Sequence, residues 1–440
     1  VARRNELPEL AEDQRTVDRY LASLDDPAGA TDEGLRASID RLIPLFTDLF
    51  ERHLMTSFSA ALMVAVLGGI CERELDDPNL AVQLLAGLGD VDSAAPSTAM
   101  WDLSRAANES AVVSKLFDDG IDDLLVRLQA AAGEDPAAEA FLDRFGDFIQ
   151  RFGSRGPNEW DTAFDTWETE PSLALTLIDR MRGAEDSHDP TRQQQRLATE
   201  AAELERTCAA QLSRPVRPIF TRVLRAARLH SRARERTKTT VIRAVHGARL
   251  QSMELDRRLS QRSGGERGDL WFLLEDEIDR YMADPASLLP AIAERRDTHR
   301  ALVERVPPFF FSGRQPPLEE WELRTATREQ LGPGDSITGL AGCPGIARGT
   351  ARVVTDPADP RGLAPGDVLV APLTDPAWTP LFVPAQAVVV DVGAVMSHAV
   401  IVSRELGIPC VVSASEATKR IPDGALIEVD GSRGTVIILG

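Results

Sequence analysis

The grammar of the chain changes once, near Pro307, and that change limits what it can fold into. Up to residue 306, apolar side chains recur at helical spacing, as in Leu35, Ile39, Leu42, Ile43, Phe46 and Phe50. The helical pattern is broken at Asp26-Pro27, Gly133-Glu134-Asp135-Pro136 and Ser263-Gly264-Gly265. Thr31 and Asp135-Pro136 read as helix starts, the second with proline in the first turn. From residue 337 onward, short β-branched runs alternate with glycine and proline turns. The expected strands are Thr350–Val354, Asp367–Ala371, Ala387–Val390, Pro409–Val412, Leu426–Val429 and Thr435–Leu439. Asp430-Gly431-Ser432-Arg433-Gly434 joins the last two as a hairpin, and His398–Leu406 reads as the single helix of this part. The expectation is a multi-domain α plus α/β chain. A large all-α domain covers 1–311, a linker rich in Pro, Gly and charge covers 312–336, and a compact α/β unit covers 337–440.

At 440 residues the chain is too long for one ordinary domain. Its net charge of −20 argues against a binder that tracks nucleic-acid phosphates. The charge is uneven: Arg206–Arg262 holds 15 Lys/Arg against 3 Asp/Glu, a net of +12, so the rest carries −32. Such a stretch either docks a phosphate-bearing partner or is wrapped by acidic neighbours. The apolar run Phe58–Ile70 is short of the roughly 20 residues a membrane span needs, so it reads as a buried core helix and no membrane partner is expected. Cys71, Cys208, Cys343 and Cys410 are widely spaced without a CxxC, which fits a reducing cytoplasm rather than a disulfide framework or zinc knuckle. The N-terminal residues lack an apolar signal-peptide region. The first residue is Val1, which leaves open a processed start or a piece of something longer.

Chemistry concentrates at one of the six histidines. No two stand i, i+4 with a carboxylate between them, so no zincin-like metal site is expected. His53, His188, His230, His246 and His299 lie in helical stretches beside arginine or polar residues, where a surface or structural role is the default. His398 instead follows an expected strand and a loop containing Gly393. Ser397 precedes it as a candidate N-cap, and the short helix it opens is closed by Gly407 with Pro409 beyond. A helix N-terminus presents free N–H groups and about half a positive charge. That field disfavours imidazolium and keeps the ring neutral and nucleophilic. The same N–H groups stabilise an anion attached to the ring. A phosphoryl-accepting histidine needs both, because its P–N bond must form and then hand the group on. The plainer alternative is a histidine that only caps a helix.

The segment Gly393–Pro409 (GAVMSHAVIVSRELGIP) resembles the phosphohistidine motif of the phosphoenolpyruvate-utilising enzymes. Gly366–Phe382 and Cys343–Val354 match the same swivelling domain in order and spacing. Within that family the resemblance is to the rifampin phosphotransferases, whose middle domain is similar to Phe152–Trp167, Ser231–Lys238 and Gly268–Ile278. The resemblance implies a β/β/α swivelling phosphohistidine domain with His398 as the catalytic residue. Gly393, Ser397, Arg404, Thr374, Pro376 and Thr379 would support its loop. It further implies that ATP gives its β-phosphoryl to His398 and that the γ-phosphoryl leaves as phosphate. The acceptor would be a hydroxyl of a small organic molecule, as in antibiotic modification. Two departures stand out. The family's His loop usually begins Gly-Gly, whereas this chain has Gly393-Ala394, and alanine resists a positive φ. Family members also carry an ATP-grasp domain before the helical one, and this sequence has no GxGxxG or GxxxxGK[ST] phosphate loop. ATP and Mg²⁺ are therefore expected only through a separate nucleotide-binding domain, in cis or in trans, and the chain alone is expected not to use ATP.

On the acceptor side, Arg155, Glu159 and Asp161 cluster after a glycine-containing break, and Arg234 and Lys238 flank Glu235. Arginine suits a phosphoryl clamp and a carboxylate suits a base toward a hydroxyl; buried ion pairs at a helix junction are the alternative. Arg404 and Glu405 read equally as an outward ion pair, and Thr374–Pro380 as a proline-stiffened turn. Cys343 reads as a strand-entry residue, not a nucleophile. Met55, Met63 and Phe310 suggest a lipophilic acceptor pocket in the helical half. The leading expectation is a dikinase-type phosphotransferase. A pyruvate or water dikinase is less favoured because residues 1–306 show no βα alternation. A non-catalytic binding remnant of the family is the second alternative.

Overall fold

The computed structural model describes residues 7–89, 92, 94–308, 311–357, 362–394 and 397–440. Phe310 of the expected acceptor pocket, and Val395 and Met396 of the His loop, lie outside the described residues. The chain forms two compact units.

The smaller unit gathers Arg19–Phe46 and Ala244–Glu329. Its core is Leu35, Leu255, Leu259, Leu270, Tyr281, Leu288 and Ile292. Thr31 caps the helix Asp32–Asp40 as expected, its hydroxyl accepting the Gly34 N–H. The helix Arg217–Ser263, which this unit shares from residue 244, ends where Gly264 takes φ +69. Buried Asp256 then accepts the N–H groups of Gly268 and Leu270. The Ser263–Gly268 run is thus a helix-ending turn. Two short antiparallel strands, β1 (Arg305–Val306) and β2 (Glu322–Leu323), lie in the same unit. Part of the expected 312–336 linker is therefore ordered as a strand.

The larger unit comprises the chain through Asp18, Thr47–Arg243 and Gln330–Gly440. The apolar run Phe58–Ile70 lies in a helix that extends over Leu42–Leu75. It is not buried all round. Ala60, Val64, Leu67 and Ile70 are buried, whereas Phe58 is 70% exposed, Met55 62% and Leu62 59%. Among the described residues, one stretch, Asp32–Leu75, is long and apolar enough by length and composition to cross a membrane, so the short-run estimate understated it. The basic stretch is largely wrapped by acidic neighbours in this unit. Arg228 pairs with Glu205, Arg236 with Asp92, Lys238 with Glu159 and Arg243 with Asp18.

The C-terminal part builds an eight-stranded sheet. Its strands are β3 (Ser336–Thr338), β4 (Leu340–Cys343), β5 (Ile346–Val353), β6 (Val368–Ala371), β7 (Ala387–Val390), β8 (Cys410–Val412), β9 (Leu426–Asp430) and β10 (Thr435–Ile438). The spatial order is β3-β10-β9-β5-β6-β7-β8-β4, with β5 to β8 parallel and the outer pairs antiparallel. The parallel strands β6 and β7 are buried on both faces, which is why they read as unbroken apolar runs. β3 and β4 escaped the sequence reading because they are three and four residues long and separated by Gly339. One continuous core joins Trp378, Leu381 and Phe382 of this part to Met100, Trp101, Ala174 and Ile178 of the helical part. The sheet's His398-bearing segment is therefore seated on the helices within one compact unit.

Candidate active site

His398 opens the helix His398–Leu406, which closes at Gly407 with φ 66. Ser397 has the extended backbone of an N-cap, but its side chain makes no cap bond and, among the described residues, its buried Oγ has no hydrogen-bond partner, which corrects the expected capping role. The imidazole is held from both sides instead. Nδ1 lies 3.1 Å from Thr374 Oγ1 and Nε2 lies 3.0 Å from Thr379 Oγ1. Phe382 meets the ring edge-on at 5.9 Å. The ring remains half-buried rather than sealed. Thr374 and Thr379 belong to the segment the sequence singled out, and buried Pro376 opens its single turn Pro376–Trp378.

Burial drives the His398 pKa well below its ordinary value, and Lys238, Arg155 and Arg234 push it further down. The ring is thus neutral at pH 7, and three cations of the helical part face it. Arg155 donates from Nη1 to Glu159 Oε1 and Oε2 at 2.9 and 3.1 Å, and from Nη2 to Thr239 Oγ1 at 2.8 Å. Lys238 Nζ reaches Glu159 Oε1 at 3.0 Å. Burial alone would raise the Glu159 carboxyl, but Arg155 and Lys238 outweigh it and hold it below the usual carboxylate range. Arg234 pairs with Glu235. The cluster is thus a buried ion-pair network whose cations also act on His398. Asp161 is exposed, and its Oδ1 accepts the Ala163 N–H.

Two carboxylates bind the His398 segment to helical-part backbone. Asp375 accepts the Ala377 N–H through Oδ1 and the Asn158 N–H through Oδ2, at 2.9 and 3.0 Å. Glu405 accepts the Leu88 N–H at 3.0 Å while Arg404 donates to its other oxygen. The Arg404–Glu405 pair is therefore buried, at 4% and 1% exposure, not outward. Burial raises both the Asp375 and Glu405 carboxyls.

Comparison with known proteins bears on this geometry. Residues 52–235 match the family described as rifampicin phosphotransferase fourth domain, and residues 363–434 match the PEP-utilising enzyme mobile domain. Residues 363–434 are thus a mobile domain of the phosphoenolpyruvate-utilising type. An uncharacterised protein of Mycobacterium tuberculosis is 31% identical over 97% of this chain and 45% of its own length. The prodigiosin synthesizing transferase of Serratia marcescens is 28% identical over 97% of this chain and 48% of its own. A rifampicin phosphotransferase of a Streptomyces species is 30% identical over 73% of this chain and 36% of its own. The chain spans less than half the length of each of these relatives.

Within this domain, the Gly393-Ala394 departure needs no unusual backbone. Neither residue takes a positive φ. Gly393 is required for a different reason: a Cβ there would lie 2.9 Å from Val412 Cβ. Ala394 is exposed and free of that contact. Gly393→Ala should therefore cost about 1–3 kcal/mol in denaturant unfolding, whereas Ala394→Gly should cost less than about 1 kcal/mol.

Proposed function

We propose that this chain is the relay and acceptor part of a phosphotransferase. His398 takes a phosphoryl group and passes it to a hydroxyl of a small organic molecule held by the helical part. The observation that carries the reading is a neutral imidazole, half-buried at a helix start, facing Arg155, Lys238 and Arg234. Neutrality makes the ring a nucleophile, and the cations stabilise the charge that moves with the phosphoryl group. ATP is the proposed donor, through an ATP-grasp domain in cis or in trans. The Mg²⁺-nucleotide would be held by that domain. The His398-bearing domain, residues 337–440, would travel between donor and acceptor with 312–336 as its hinge.

The exposed apolar side chains Met55, Phe58, Leu62, Trp160 and Phe164 favour a lipophilic acceptor. Met63 packs partly buried against the core and is not part of that surface. Similarity to a prodigiosin-synthesising transferase as well as to rifampicin phosphotransferases leaves the acceptor as a chemical class rather than one antibiotic.

The test is direct phosphorylation of the purified chain with phosphoramidate. The expected product carries one acid-labile, alkali-stable phosphoryl group on the His398 peptide by mass spectrometry. Label on Ser397, or no label under conditions that phosphorylate a control phosphohistidine protein, would overturn the relay and favour a non-catalytic binding role.

A further inference from the structure

We infer that His53 is the general base that takes the acceptor's hydroxyl proton, an assignment that rests on the relay reading above. His53 lies on the helix Leu42–Leu75 and is buried. Its ring packs against Phe50 and Trp160, with centroids 6.2 and 5.9 Å away. Trp160 follows Glu159 in the cation cluster, and Asn158 just before it donates to Asp375 beside the His398 segment. One short run, 158–160, thus touches all three parts of the site.

The tautomer of His53 is fixed by its partner. The Thr237 hydroxyl donates to the Arg234 carbonyl at 2.9 Å. At 3.0 Å from His53 Nδ1 that same oxygen can then only accept, so Nδ1 carries the hydrogen and Nε2 keeps the lone pair. The charged groups facing the ring are Arg234, Glu235 and Lys238. Burial, with Arg234 and Lys238 adding to it and Glu235 opposing, lowers the His53 pKa to about 4, so the ring is an unprotonated base at neutral pH.

Arg234 and Lys238 also act on His398. They stand i, i+4 on one helix face with Thr237 between them. Two neutral imidazoles therefore share one pair of cations. When His398 carries a phosphoryl dianion, that charge offsets the field of Arg234 and Lys238, and His53 becomes more basic when a base is needed. The carboxylates are poorer candidates: Glu159 is held by Arg155 and Lys238, and Glu235 by Arg234.

In the step, the acceptor O–H gives its proton to His53 Nε2. The acceptor oxygen bonds to phosphorus as the P–N bond to His398 breaks. With a hydrogen on its other ring nitrogen, held by a threonine hydroxyl, His398 leaves as neutral imidazole and keeps the P–N electron pair. The products are the phosphate monoester, neutral His398 and an imidazolium at His53 that loses its proton to solvent.

The experiment loads the chain with phosphoramidate and follows phospho-His398 by ³¹P NMR with glycerol as acceptor, separating glycerol phosphate from inorganic phosphate across pH. His53→Asn keeps a donor toward Thr237 but has no base at the Nε2 position. It should load His398 as wild type does, transfer about a hundredfold more slowly and lose the pH-dependent limb of the rate. Thr237→Val, which keeps His53 but releases its tautomer, should slow transfer several-fold and guards against misfolding of the first variant. Equal rates in wild type and both variants at every pH would overturn the assignment while leaving the relay standing. Failure of wild type to load His398 would overturn both.

Discussion

His398→Ala should abolish phosphoryl loading and transfer while leaving the fold intact. The side chain is half-buried and its polar contacts are two threonine hydroxyls, so its removal empties little core. Freeing the buried Thr374 and Thr379 hydroxyls costs about 1–3 kcal/mol. No neighbouring group replaces the P–N chemistry, because Ser397 Oγ is buried. The pH dependence carries a second signature. The folded-state pKa of His398 lies below its unfolded value, so the stability linked to its neutral form is present above about pH 6.5 and is lost as pH falls. Denaturant unfolding of wild type should therefore weaken more than that of His398→Ala between pH 7 and pH 5. Residual acid-labile label in the alanine variant would refute the assignment of the carrier.

The C-terminal architecture was largely legible because its signals are local. Ala387–Val390 is found as a strand with the expected bounds, and His398–Leu406 as a helix ended by Gly407. Apolar β-branched runs between glycines and prolines admit few other folds. The helical part was legible as helix but not as surface. Composition marks Phe58–Ile70 as apolar, yet only packing decides that Val64 and Leu67 are buried and Phe58 and Leu62 are not. The proposed acceptor side was half legible. Arg155, Glu159, Arg234 and Lys238 stood out by charge and spacing, and the structure brings them to one field around His398. Asp161 stood out for the same reason, and the structure shows it exposed with its Oδ1 on the Ala163 N–H. His53 was dismissed with the other helical histidines. Nothing within its own helix marks it, since its partner Thr237 lies 184 residues away.

Arg155 allows structure and chemistry to be separated. Arg155→Met would leave buried Glu159 with Lys238 as its remaining cation, and breaking such a pair costs about 3–5 kcal/mol. The same change removes a cation facing His398, which should slow phosphoryl transfer by about 10²–10³-fold. A fall in both quantities would not by itself distinguish a phosphoryl clamp from an ion pair that merely holds two helical segments together. Adding Glu159→Gln neutralises the carboxylate that has lost one of its two cations. The double variant should recover part of the lost stability in denaturant unfolding, the recovery being limited because Lys238 then loses its carboxylate partner. Its transfer rate should stay low, because the Arg155 cation that faces His398 is still missing. Lys238→Met gives the complementary case: Arg155 and Glu159 keep their two-bond pairing, so stability should change little while transfer falls. If the double variant, folded and stable, passes the phosphoryl group on at the wild-type rate, the cluster is structural and the acceptor-side chemistry must lie elsewhere.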